Sequence, residues 1–199
     1  VRDRAGRALE LASKSSASGA AFLAAADLSA VASGLEADYR LIGGMAVTLL
    51  VAAHGAAGLV PGRETADADF GAAAEVVGDP RLVDALVQRG YVLHGGNRFQ
   101  RQWGESVLLS IDVLAPSQDH RMRSNQEYGG LFVDEVPGLR LALAREGVSV
   151  EVNVSLISGE RLRIPLVLPD LVSAICMKAY AYQDRLKAHD AHDLWRLFE

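Results

Sequence analysis

Asp67 and Asp69 stand two residues apart in the segment TADADF. In an extended strand alternate side chains leave the same face, so these two carboxylates share one. Like charges at that spacing repel unless a cation lies between them. A hard divalent ion, which prefers carboxylate and phosphate oxygens, is the usual one. Such a pair supports phosphoryl or nucleotidyl transfer, in which Mg2+ (or Mn2+) ions about 4 Å apart stabilise the attacking and leaving oxygens. The tripeptide alone equally describes an exposed edge strand with no chemistry, so the segments around it carry the weight.

Three such segments stand out. Gly43 and Gly44 separate an apolar run from a helical pattern, where backbone can approach a phosphate and free helix N–H groups face it. Asp112, in LLSIDVLA, alternates like a strand residue and offers a third carboxylate, or else is an ordinary polar residue on a half-exposed strand. The segment KAYAYQDRLKAHDAHDL carries Lys178, Arg185 and Lys187, followed by Asp190 and Asp193, which share a helix face at a spacing of three. Cations suit a triphosphate and its pyrophosphate leaving group; the plainer alternative is a solvated amphipathic helix with internal ion pairs. His189 and His192 have the spacing of a metal pair, but no second His/Asp cluster supports one.

The elements that must position these groups alternate helix and strand. Residues 19–36 are rich in Ala and Leu and predict a helix. ADYRLIGG predicts a short strand, MAVTLLVAAH a helix, HGAAGLVPGRET a loop, and TADADFGAA the strand with the two acids. Asp79 and Pro80 open a helix that ends at Gly90. YVLHGGNRFQRQW predicts a hairpin turning at Gly95, Gly96 and Asn97, followed by the strand ESVLLSIDVLAP. SQDHRMRSNQEYGG is expected to be a mobile polar loop, Leu131 to Val167 to hold more strands, and PDLVSAICMKAYAYQDR and HDAHDLWRLF to be two closing helices. The expected fold is α/β (α+β): one domain over 1–199, a mixed sheet flanked by helices in a core of about 38–167, and a helical C-terminal segment of about 168–199.

Composition bounds the function. Half of the 199 residues are apolar, enough to bury a core. The most apolar stretch, Leu41 to Val60, contains four glycines and His54, so no membrane span is expected. The start, VRDRAGRALELASKSS, lacks the apolar centre of a secretory signal, and the lone Cys176 permits no internal disulfide; together these lead to an expected cytoplasmic location. A net charge of −5 argues against a coat for nucleic acid but leaves room for a local basic patch. Only three residues are lysines (Lys14, Lys178 and Lys187), which makes Lys178 within the charged helix conspicuous.

Taken together, GGMAVTLL, RETADADF, IDVL and KAYAYQDRLKAHDAHDL resemble the nucleotidyltransferase toxins of the AbiEii/MenT group in the DNA polymerase β-like superfamily. That group pairs a G-G or G-S turn with an R-x-[ST]-x-D-x-D strand and a later K…R…(K/R)-x-D-x-x-D segment. The matching positions are Gly43 and Gly44; Arg63, Thr65, Asp67 and Asp69; and Lys178, Arg185, Asp190 and Asp193, so the motifs span most of the chain. Two departures stand out: a second glycine where many members have serine, and a long loop from Gly44 to Asp67, to which Gly55 to Gly62 add flexible residues.

The resemblance implies a nucleotidyltransferase fold and transfer of a nucleoside monophosphate from an NTP to an RNA, the tRNA 3′ end above all, with release of pyrophosphate. It implies a toxin restrained by a cognate antitoxin protein. Catalysis would fall to Asp67, Asp69, Lys178 and Asp190, and metal binding to Asp67, Asp69 and Asp112. Gly43, Gly44, Arg63, Thr65, Lys178 and Arg185 would hold the nucleotide, and Asp190 would either orient a basic group or help activate the acceptor hydroxyl. Because the net charge is negative, an RNA would need a patch such as Arg98, Arg101, Arg121 and Arg123. Two alternatives stay open: an enzyme that modifies a small molecule such as an antibiotic, and a catalytically silent binding module on the same fold.

Overall fold

A computed structural model describes residues 7–199; residues 1–6, the beginning of the charged opening segment and of the expected 1–199 domain, lie outside the described residues. The chain begins with strand β1 (Arg7–Ala12) and helix α1 (Ser16–Gly34), then strand β2 (Tyr39–Ile42) and helix α2 (Gly43–Ala53). Strand β3 (Asp67–Ala72) leads into helices α3 (Ala74–Val77) and α4 (Pro80–Gln88), and the hairpin β4 (Val92–Leu93) and β5 (Arg98–Trp103) follows. Strands β6 (Val107–Pro116), β7 (Arg123–Tyr128) and β8 (Leu131–Val136), helix α5 (Leu139–Ala144), strands β9 (Val148–Ser155) and β10 (Arg161–Leu168), and helices α6 (Leu171–Arg185) and α7 (Ala188–Phe198) complete it. The mixed α+β class and the two closing helices agree with the sequence reading.

The strands form two sheets. The larger runs β2-β3-β6-β5-β4, with β8 parallel to the far end of β6 and β7 antiparallel to β8. The smaller runs β1-β9-β10, with β1 parallel to β9. At the centre of the larger sheet β3 lies parallel to β6, which aligns Asp67 with Ser110 and Asp69 with Asp112. Alternation then sorts the side chains: Ala68, Phe70, Ile111 and Val113 are buried on one face, and the carboxylates leave on the other.

The buried face of β3 and β6 is covered by α1, which also lies against β10 and so ties the two sheets together. Ser15 and Ser18 form a capping box that starts α1. Small residues let this helix approach closely: Ala24 and Ala25 are fully buried, beside Leu28. The core therefore reaches from Leu9 to Leu197, beyond the expected 38–167 span, because α1 and β1 belong to it. By length and composition α1 is apolar enough to cross a membrane, which the sequence reading did not anticipate; 61% of its most apolar window is buried inside the fold.

Three local expectations change. β1 and α5 were not foreseen, and the segment expected to be a mobile loop contains β7, held to β8 across a register shift between Arg123 and Gln126. Its mostly polar residues hid the strand, since only one face of an outer hairpin meets apolar neighbours.

Close helix–sheet packing should make α1 intolerant of added volume. Ala24→Leu is expected to destabilise the protein by about 1–3 kcal/mol in chemical denaturation, whereas Ala17→Leu, on the exposed side of the same helix, should leave the midpoint near wild type. Equal midpoints for the two variants would contradict this docking.

Candidate active site

The centre of the site is the face of the sheet opposite α1. Asp67, Asp69 and Asp112 each place a carboxylate oxygen within 4.8 Å of those of the other two. Three hard oxygen donors this close match the coordination sphere of Mg2+ or Mn2+ and no soft metal, so the residues fit the ion that the spacing predicted. Burial pushes the Asp69 carboxyl up to about 8; Asp67 and Asp112 add to the rise, while Lys178 and Arg98 pull it down. Like charges this close disfavour one another's ionised form, and a cation placed among them would relieve that.

Arg98 supplies part of the missing positive charge. It meets Asp112 through two hydrogen bonds, Nε to Oδ1 at 2.8 Å and Nη2 to Oδ2 at 2.6 Å, and its Nη2 lies 3.5 Å from Asp67. The β5–β6 pairing causes this, because it sets Arg98 beside Asp112 in register. This corrects the expectation of a free RNA-binding arginine. Arg101 leaves the other face of β5: it bonds Asp27 of α1 and lies over the rings of Tyr91 and Trp103, so it is not part of the site's surface. Arg123 pairs with Asp119, and Arg121 is exposed on the same loop. The four arginines thus do not form one patch.

The β2–α2 turn brings the helix N-terminus to the acids. Ile42 is in register with Asp69, and the next residue begins α2 without any side-chain cap. Gly43 has φ 72°, and a Cβ there would run into the Asp69 carboxylate. A Cβ at Gly44 would strike Arg63 and Thr65. That gives the second glycine a reason within this chain: the guanidinium of Arg63 and the methyl of Thr65 take the space. Both positions therefore need glycine for contact, and Gly43 for its left-handed backbone as well.

Across the acids stands a cavity of about 500 Å3, lined by Gly43, Asp69, Arg98, Asp112, Lys178 and Arg185 among others. That is within the range of small-ligand sites. Lys178 enters it from α6, with its side chain only 10% exposed. Behind it lie two fully buried aspartates of α7. Asp193 takes 2.8 Å from Lys178 and two hydrogen bonds from Arg63; Asp190 takes 2.9 Å from Arg185 and 3.4 Å from Lys178. Burial alone pushes Asp193 up, but the Arg63 hydrogen bonds and the charge of Lys178 outweigh it and leave the carboxyl below the ordinary value. The break between α6 and α7 makes this possible. Leu186 adopts a left-handed conformation and turns the chain so that α7 packs back on α6.

Several expected roles shift accordingly. Of the two roles expected for Asp190, its place behind Lys178 and Arg185 fits the orienting of basic groups, since it does not line the cavity. Arg63 and Thr65 line a separate, smaller cavity on the far side of α2 instead of the acidic one. Arg63 ties the long loop to α7 through Asp193. His192 stacks on Trp195 and His189 lies 3.5 Å from Asp190, so these histidines form no metal pair with each other. Asp134 of β8, on the wall of the main cavity, went unremarked in the sequence, where nothing but strand alternation marks it. No protein-family model matches the chain, and no curated protein does.

The raised Asp69 has a measurable consequence. An unfolded aspartate titrates near 3.9, so between about pH 4 and pH 8 the folded chain keeps a proton that the unfolded chain has released. Without divalent ions, stability is expected to fall as pH rises through that window, by on the order of 1 kcal/mol or more. Ion binding needs the deprotonated form, so Mn2+ should stabilise the protein more at pH 8 than at pH 6. Asp69→Asn should flatten both trends in denaturation curves; an unchanged pH slope in that variant would assign the titration elsewhere.

Proposed function

We propose that the protein is a metal-dependent nucleotidyltransferase acting on a nucleoside triphosphate. The observation that carries this reading is a three-carboxylate cluster, two of whose members (Asp69 and Asp112) line one cavity together with an uncapped helix N-terminus at Gly43 and the buried Lys178. A divalent ion held by Asp67, Asp69 and Asp112 would neutralise phosphate charge and align the attacking and leaving oxygens. The N–H groups at Gly43 and Gly44 receive phosphate oxygens. Lys178 and Arg185, aimed by Asp190 and Asp193, hold the β- and γ-phosphates and the pyrophosphate that leaves. An acceptor hydroxyl oxygen would bond to the α-phosphorus as the bond to the α–β bridging oxygen breaks, the hydroxyl proton passing to water and the pyrophosphate leaving with both electrons of the broken bond. Arg98, which contacts both Asp112 and Asp67, would compete with such an ion for these carboxylates, and any hold it gave up would free it to meet the phosphates.

The acceptor implied by the resemblance is an RNA, in particular the tRNA 3′ end, and the biological role that of a toxin held in check by an antitoxin. One observation favours the small-molecule alternative: Arg98, Arg101 and Arg123 are engaged with Asp112, Asp27 and Asp119, which leaves only Arg121 of the four expected arginines without a carboxylate among the described residues.

Incubation with each α-labelled NTP, Mg2+ and total RNA should place label on RNA of tRNA size. Asp69→Asn is expected to lose at least about 100-fold in rate with its fold intact, and Lys178→Ala to lose activity together with growth arrest on expression in bacteria. Label on an added aminoglycoside but not on RNA would select the small-molecule acceptor; label on neither would contradict the proposal.

A further inference from the structure

The buried ion cluster behind the active site does not balance. Arg63, Lys178, Arg185 and Arg196 converge on only two carboxylates, Asp190 and Asp193. Lys178 and Arg185 face the larger cavity, where a triphosphate would compensate them. Arg63 and Arg196 face the other way, into the cavity of about 190 Å3 between α1 and α2. Arg196 is the exceptional member: its side chain is 2% exposed, its closest carboxylate oxygen is 3.7 Å away on Asp193, and Nη1 donates to Thr48 at 3.2 Å. Among the described residues its Nε has no hydrogen-bond partner. A buried guanidinium N–H left unpaired costs free energy that an acceptor inside the cavity would recover. Burial and the nearby Arg63 charge also push Arg196 down from its ordinary value, against the pull of Asp193.

The rest of the cavity defines what such an acceptor must be attached to. Its walls are apolar, with Leu11, Phe22, Met45 and Leu49 among them, and exposed Lys14 stands at its rim. Glu64 is the one acidic lining residue; it is exposed and accepts a hydrogen bond from Ser15 at the start of α1.

We propose that this second cavity is a ligand site for a small amphipathic carboxylate, its head group received by Arg196 and Arg63 and its chain by the apolar walls. The ligand does not meet the acidic cluster, since α2 separates the two cavities, but it acts on the active site through Asp193. Arg63 and Arg196 turned toward a bound carboxylate give up part of their hold on Asp193, which then keeps Lys178. Lys178 so held is withdrawn from the phosphates of the larger cavity, and the two ligands oppose each other, each weakening the other by the same factor. This coupling rests on the nucleotidyltransferase reading; the site itself does not.

Calorimetric titration of the full chain with octanoate tests both parts. Octanoate should bind one site per chain, with 1-octanol and acetate each at least about tenfold weaker, because one lacks the charge and the other the chain. Arg196→Gln should weaken octanoate by about tenfold or more. Should Arg196→Gln fail to fold, Ala52→Phe, which fills the cavity from its half-buried wall, must produce the same loss. Saturating octanoate should weaken ATP binding by about fivefold. Absence of octanoate binding, octanol or acetate binding as tightly, or an unchanged affinity in Ala52→Phe would each overturn the site. Octanoate binding without any ATP binding would support the site and contradict the nucleotidyltransferase reading instead.

Discussion

Mutual repulsion among Asp67, Asp69 and Asp112 is the constraint around which the rest of the structure is arranged. The parallel pairing of β3 with β6 forces Asp69 and Asp112 side by side, and strand alternation adds Asp67 to the same face. Three neighbours of that face are electropositive or small. The α2 N-terminus arrives through a glycine with no Cβ to crowd Asp69, Arg98 bridges two of the acids, and Lys178 faces them from α6. Such compensation is partial, because burial and the other two aspartates still push Asp69 up against the pull of Lys178 and Arg98, and a partly compensated acidic cluster favours a divalent ion.

The second layer is electrostatic as well. Lys178 would be a poor phosphate ligand if it were free to wander, since a lysine stem carries much rotamer freedom. Asp190 and Asp193 fix it from behind, and the same two carboxylates gather Arg63, Arg185 and Arg196. This buried network also fastens the long loop after α2 to the C-terminal helix, so the site's cations and the chain's closing element are held by one set of contacts. Removing Asp193 would leave Arg63 and the buried Arg196 without their carboxylate, which costs more than the loss of one surface ion pair.

Much of this was legible in the residues. The acid pair, the glycine turn, the Asp79 cap and the Gly95–Asn97 hairpin are local signals, set by alternation, capping and turn chemistry. Asp112 as third carboxylate was within reach for the same reason. What escaped depends on distant partners. β1 acquires its meaning by pairing with β9, some of whose residues lie more than a hundred positions on, and no local pattern announces that. Arg98 reads as a surface arginine until the β5–β6 register puts it beside Asp112. Leu186 turns the chain without the glycine that usually marks such a turn, so the α6–α7 geometry, and with it the burial of Asp190, was hidden. Arg63 matched a motif, yet its bidentate hold on Asp193 turns it away from the acidic cavity.

The central claim is that the three aspartates form a divalent-ion site. Crystals soaked in Mn2+ together with a non-hydrolysable NTP analogue, with data collected near the manganese edge, test it most directly. The account predicts an anomalous peak coordinated by Asp67, Asp69 and Asp112 and by phosphate oxygens, with Arg98 displaced from Asp112. Well-ordered crystals showing Arg98 still bound to Asp112 and no manganese between the carboxylates would contradict it.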